Sequence, residues 1–294
     1  MLTHGNPASL GAVASTLFDP SGRFTAIIEA TSSTNHAVGQ VVHFPNNRAA
    51  DLTFLLMDDP AETEELSALI DFLSYHAGET GALNLRVQLE EKHPLFEVLR
   101  RCGFSVYGVQ TIWKLPSNKE GPALPSHWRQ AAPTDEPHLR SLYQSLTPPV
   151  EQAAEPFQSN GEYRLVFARD AEISVWADYR DGPRGLYLAP VIPPSAQEPV
   201  EILKTLTDLV SLVSKPAFIQ IRSHQSWLQT ALEEIGFQPV GRYNLLVKHL
   251  AIGQKVLAPN GLRSRVERTQ AKPTVPIIQN MAGDGAAVKS KETG

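Results

Sequence analysis

Cysteine is almost missing from this chain. Cys102 stands alone among 294 residues, so no internal disulfide is available, and no Cys-x-x-Cys or clustered Cys/His spacing points to zinc or another metal. Long apolar runs are missing as well. Nothing approaches the roughly 18 consecutive apolar residues of a membrane span, and the N-terminus has neither the basic start nor the apolar core of a secretory signal. The expectation is a cytoplasmic protein with no membrane partner. Basic residues are outnumbered, 26 Lys and Arg against 31 Asp and Glu, and the net charge of -5 removes the electrostatic footprint of a nucleic-acid binder. No serine sits in a Gly-x-Ser-x-Gly setting, which argues against a hydrolase elbow.

What the chain does have is one stretch used twice. His93–Gly108 reads HPLFEVLRRCGFSVYG, and Ser226–Gly241 reads SWLQTALEEIGFQPVG. Leu95 falls on Leu228, Leu99 on Leu232, Gly103-Phe104 on Gly236-Phe237, and Gly108 on Gly241. Each copy predicts a short helix stopped by a glycine in the left-handed conformation, then a strand. Upstream, Phe24–Thr31, Ala37–Phe44 and Asp51–Met57 predict three strands, and Asp58-Asp59-Pro60 announces a helix from Ala61 to about His76 with Leu66, Leu69, Ile70 and Leu73 inward. Leu83–Leu89 alternates as a half-buried strand should, and Ser105–Leu115 closes the first half.

The second half opens with Trp128 and a helix to about Leu146, for which the first half has no counterpart. It then repeats the element order: strands at Tyr163–Ala168, Ile173–Tyr179 and Gly185–Val191, a helix at Val200–Val213, a strand at Phe218–Arg222 and the helix-Gly-Phe unit. Leu66, Leu69, Asp71 and Ser74 correspond to Leu203, Leu206, Asp208 and Ser211. A period near 135 residues indicates a duplicated domain. The reading is therefore α+β, with an N-terminal domain at 1–116, a Pro-rich linker at 117–127, a C-terminal domain at 128–252 and a disordered tail at 253–294. The tail carries seven Lys/Arg against three Asp/Glu, which leaves about -9 on the rest.

Several residues invite a functional role and have a plainer reading. His43, His76, His93 and His224 fall at strand ends and turns without partner spacing. Trp113, Trp128, Trp176 and Trp227 sit where core aromatics belong. Asp178, Tyr179, Arg180 and Asp181 close a strand and would suit an amine, or a solvated turn.

In each half the hairpin, the strand leading into a helix, the next strand and the helix ending in Leu-x-x-x-Gly-Phe resemble the GNAT superfamily of acyl-CoA-dependent N-acyltransferases, over about residues 20–115 and 128–250. The resemblance implies two tandem mixed-sheet domains, the first incomplete at its front, and acyl transfer from acetyl-CoA to an amine. It places the cofactor where Leu188, Ala189, Pro190 and Val191 splay from Phe218–Arg222. Two departures oppose catalysis. The loops that should cradle the pyrophosphate, from Met57 and from Val191, contain no glycine; the first carries Asp58, Asp59, Glu62, Glu64 and Glu65, and the second Pro193, Pro194 and Pro199. Leu99 and Leu232 stand where many members keep a tyrosine acid, and no catalytic residue is named. The alternative expectation is a non-catalytic binding or scaffold protein presenting this fold to a protein partner.

Overall fold

The computed structural model describes residues 22–29, 36–44, 47–57, 63–115, 127–158, 163–169, 172–211 and 215–250. All belong to one compact unit, Met1–Gly253. Residues 117–126 of the expected linker, the expected tail at 253–294, and Ser9–Phe18, whose sequence suits a short helix interrupted at Gly11, lie outside the described residues.

The first half runs β1 (Arg23–Glu29), β2 (His36–Val42), β3 (Ala49–Met57), α1 (Thr63–Glu79), β4 (Asn84–Glu90), α2 (Leu95–Arg101) and β5 (Ser105–Leu115). The second runs β6 (Trp128–Gln130), α3 (Glu136–Leu146), α4 (Pro149–Ala154), β7 (Arg164–Arg169), β8 (Glu172–Gly182), β9 (Gly185–Val191), α5 (Pro199–Ser211), β10 (Ala217–Arg222), α6 (Gln229–Ile235) and β11 (Gln238–His249). The expected strands and helices appear where their periodicity put them; α4 was not foreseen. Both helix-Gly-Phe units close as expected. Gly103 and Gly236 adopt φ of 89° and 99°, and the amides of Phe104 and Phe237 reach back to the carbonyls of Leu99 and Leu232 at 3.0 and 2.9 Å. Leu99 and Leu232 are core residues, fully enclosed.

The strands form one eleven-stranded mixed sheet in the order β1-β2-β3-β4-β11-β5-β10-β9-β8-β7-β6. The sequence led us to expect two sheets. They are one because the last strands of the two halves change places. β11 lies between β4 and β5, antiparallel to both, while β5 pairs antiparallel with β10. Outward from the β11–β5 pair, the order on one side matches that on the other until β6. Only β3–β4 and β9–β10 are parallel.

The cores follow the exchange. Helix α1 buries Leu66, Leu69, Ile70 and Leu73 against β2, β3 and β4, and Leu246 of β11 joins that cluster. Helices α5 and α6 bury Ile202, Leu203, Leu206, Ala231 and Leu232 against β8, β9 and β10, where Trp113 of β5 joins them. Each core thus contains a side chain from the other half's terminal strand. The opposite face of the sheet is covered at one end by α3, whose Leu139 packs on Val166 and Trp176. At its centre it carries α4, whose Ala154 packs on Tyr107, Leu245 and Val247.

Residues 1–116 and 127–252, produced separately, should each lack a cooperative thermal transition, because each core loses an enclosed side chain and β4 and β10 each lose a neighbour. Co-expression should restore a single transition. A second half melting alone at the temperature of the whole chain would show that β11 can close directly on β10.

Candidate functional site

Two parallel pairs in the sheet come apart. β9 and β10 match at Leu186–Ala217, Tyr187–Phe218 and Leu188–Ile219 and then diverge, so Ala189, Pro190 and Val191 leave Gln220, Ile221 and Arg222. β3 and β4 match only from Ala49–Asn84 to Asp51–Arg86, where the Arg86 guanidinium holds the Asp51 carboxylate at 2.8 and 2.9 Å. Of the four residues expected to line a cofactor, Leu188 is the last paired residue and is fully buried. Ala189, Pro190 and Val191 follow the divergence.

A strand edge left this way exposes backbone groups that need partners. The Pro190 carbonyl and the Ile192 N–H are met by one side chain. Gln225, 4% exposed, extends from the 3-10 turn Ser223–Leu228. In the orientation that satisfies both ends, its amide donates to Pro190 O at 3.2 Å and accepts from Ile192 N at 3.0 Å. A side-chain amide here reproduces what one residue of a neighbouring strand would provide. Beyond Val191, the loop into α5 bends so that Ala196 N–H bonds Pro193 O at 3.0 Å. At the helix start Glu198 and Glu201 both face Arg169, at 3.4 and 3.3 Å. The corresponding loop of the first half lies outside the described residues.

On the face away from α5, the end of β10 meets α4. Between Val106 and Gly108 the register against Leu246 and Leu245 skips Tyr107, a bulge that directs Tyr107 and Gly108 toward α4. Arg222 Nη2 donates to Glu155 Oε2 at 2.6 Å. The Tyr107 hydroxyl donates to Glu155 Oε1, and that of Tyr143 to the Glu155 carbonyl. Glu151, itself buried, approaches Arg222 Nη1 at 4.0 Å and bonds His224 Nδ1 through Oε1 at 3.0 Å. Its carboxyl carbon would stand 3.5 Å from a Cβ at Gly108.

Burial would raise the Glu155 carboxyl, but Arg222 and Arg86, with bonds from Tyr107 and Arg222, outweigh it and hold it below the usual carboxylate range. Burial likewise works against the Arg222 charge, and Glu155 reverses the balance and raises it. Burial, then Glu155, pushes both Tyr107 and Tyr143 well above an ordinary phenol, and burial pushes Tyr187 up to about 12. Near neutral pH these phenols are donors and not bases. Five buried polar atoms have no partner among the described residues: Gln110 Oε1, Arg222 Nη1 and the indole nitrogens of Trp113, Trp176 and Trp227. Gln110 is the cross-strand partner of Arg222, so the two share a face.

The other candidates resolve simply. His43 bridges Thr80 and Asn47, His76 stacks on Phe24, and His93 Nδ1 accepts the amide of Leu95. Asp178 is taken by Arg164 and Asp181 by Lys215. Trp113, Trp128 and Trp176 are core. His224 alone among these joins a cluster. Among the described residues no group of three or more His, Cys, Asp or Glu could hold a metal ion, and no helix is long and apolar enough to cross a membrane.

No protein-family model matches the chain. No curated protein matches it. Solved structures similar to it include a GCN5-related N-acetyltransferase from Sphaerobacter thermophilus, 11% identical, covering 72% of this chain and 76% of that one, TM-score 0.49. A tandem GNAT protein from the clavulanic acid biosynthesis pathway is 13% identical over 82% and 87%, TM-score 0.48. A GCN5-related N-acetyltransferase from Kribbella flavida is 12% identical over 80% and 94%, TM-score 0.48. These are distant likenesses of fold.

Replacing Glu155 by Ala leaves Arg222 buried without its partner and should cost about 3 kcal/mol, the low end for such a deletion because 29% of the Glu155 side chain still meets solvent. Since its folded-state pKa is depressed, Glu155 contributes stability above its ordinary value of 4.5. That contribution is lost as pH falls through the folded value. Urea unfolding at pH 7 and pH 3 should show a smaller pH difference for Glu155→Gln than for wild type.

Proposed function

We propose that this chain is an acyl-CoA-dependent N-acyltransferase of the GNAT type, built as a tandem, with its working cleft between β9 and β10. The observation that carries the reading is the early divergence of β9 from β10, which leaves the Pro190 carbonyl and the Ile192 N–H without a strand partner, both met instead by the side-chain amide of Gln225. That Gln225 bonds both groups with one amide indicates that an amide of a pantetheine arm has the right donor and acceptor for the place. The phosphate end fits less well. The 192–198 loop offers no glycine, and its charged groups are Glu198, with Arg169 opposite. The reaction joins an amine nitrogen to the thioester carbonyl carbon and breaks the C–S bond.

A second reading keeps the fold without the chemistry, as a binding or scaffold protein for a protein partner. It is favoured by Gln225, which satisfies the slot without any ligand, and by Leu232, which is core where an acid would stand.

Thermal shift with acetyl-CoA decides first. At 100 times its dissociation constant the ligand should add about 2.7 kcal/mol. Gln225→Ala, which vacates the Pro190 and Ile192 groups, should tighten acetyl-CoA about fivefold, roughly one net hydrogen bond. Binding without turnover on any amine supports the second reading. No shift at millimolar acetyl-CoA for either protein overturns the first.

A further inference from the structure

His224 is held in a way that a surface histidine has no need of. Its Nδ1 lies 3.0 Å from Glu151 Oε1, and Nε2 has no protein partner among the described residues. A carboxylate on one ring nitrogen fixes the tautomer: Nδ1 carries the hydrogen donated to Glu151, and Nε2 presents its lone pair. Glu151 is fixed in turn. It sits on α4 over Gly108, buried to 4% exposure, a depth at which a glutamate needs partners. Those it has are His224 and, at 4.0 Å, Arg222. The imbalance between the two ring nitrogens is the arrangement of a base and its orienting carboxylate.

The position of the ring is equally specific. The next residue, Gln225, bonds the edge of β9 where the slot opens, and Arg222, two residues earlier, ends β10. The His224 side chain is 21% exposed, within reach of a molecule entering from the α4 face. Charge on that face favours a cation. Three carboxylates, Glu151, Glu155 and Asp51, meet two guanidinium groups, Arg86 and Arg222. Gln110 Oε1, buried beside Arg222, is an acceptor without a donor, and an ammonium or amine N–H supplies one.

We propose that His224 is the general base for a primary amine acceptor and that Glu151 is its positioning residue, an assignment that rests on the acyltransferase reading of the β9–β10 slot. The acceptor arrives as an ammonium drawn to the α4 face. His224 Nε2 takes one proton, and the freed lone pair attacks the thioester carbonyl carbon. The C–N bond forms, the C–S bond breaks, and the electron pair leaves on sulfur as thiolate. The nitrogen, now part of an amide, gives its second proton to that thiolate and keeps the third. The products are a secondary amide, a free thiol and one proton left on His224, which passes to solvent. No side-chain acid is needed, which agrees with leucine at position 232. The imidazole is held by Glu151 of α4, and the same carboxylate is approached at 4.0 Å by Arg222 of β10.

The test uses the full chain with acetyl-CoA, putrescine and benzylamine as acceptor probes, and thiol release as the readout. His224→Gln should lower kcat at least 100-fold, with KM for acetyl-CoA within twofold and the acetyl-CoA thermal shift retained. Imidazole added to His224→Ala should restore part of the rate. Glu151→Gln should lower kcat about tenfold while KM for acetyl-CoA and the acetyl-CoA thermal shift stay within about twofold of wild type, and Glu151→Asp should restore part of the rate. Wild-type kcat in His224→Gln overturns the base assignment and leaves the acyltransferase reading standing. A wild type that neither binds acetyl-CoA nor acylates either probe overturns both.

Discussion

The antiparallel pair of β11 and β5 is the constraint on which the rest of this structure depends. A sheet edge must be paired, covered or blunted, and here β4 and β10 are each paired by the last strand of the other half. The exchange carries Leu246 into one core and Trp113 into the other. It also sets the two parallel pairs, β3–β4 and β9–β10, on either side of the centre, each diverging after three matched residues. The slot and the polar floor beside it are consequences of how the sheet is closed.

That floor has a consistent electrostatic logic. Arg222 and Glu155 are both partly withdrawn from water, and each offsets the desolvation of the other. Tyr107 and Tyr143, which burial keeps protonated, spend their hydroxyl hydrogens on Glu155. The donors and acceptors of this group are matched among α3, α4 with the residue that follows it, β5 and β10. What remains unmatched is confined to Gln110, the second nitrogen of Arg222 and the outer nitrogen of His224. Those three sit on one face, beside the slot.

Much of the fold could be read from the sequence because it is written in local patterns. The spacing of Leu66, Leu69, Ile70 and Leu73, the alternation in Leu83–Leu89, and the glycines at 103 and 236 each act within a few residues. The exchange could not be read that way: the apolar faces of β5 and β11 look the same whichever neighbour they pair with. Of the site, the splay of Leu188–Val191 from Phe218–Arg222 was an expectation of the resemblance, not of any local pattern, and the two strands part after Leu188. The acidic pair was hidden. Glu151 and Glu155 stand at i, i+4 after the Pro148-Pro149 helix start, a recognisable signal, but nothing local tells that they face inward, toward Arg222 and His224 some 70 residues away.

The place of β11 in the sheet also bears on how the chain is made. The edge of β4 is complete once residue 90 has left the ribosome, yet its partner is the last strand of the unit, with Tyr243 pairing Glu90. At about 5–20 residues per second, an apolar edge and a half-built core wait on the order of 10–30 s for the strand that closes them. For that interval the nascent first half is an open template, and its own acidic surplus, 13 Asp and Glu against seven Lys and Arg over residues 1–116, works against pairing with its neighbours on the same message.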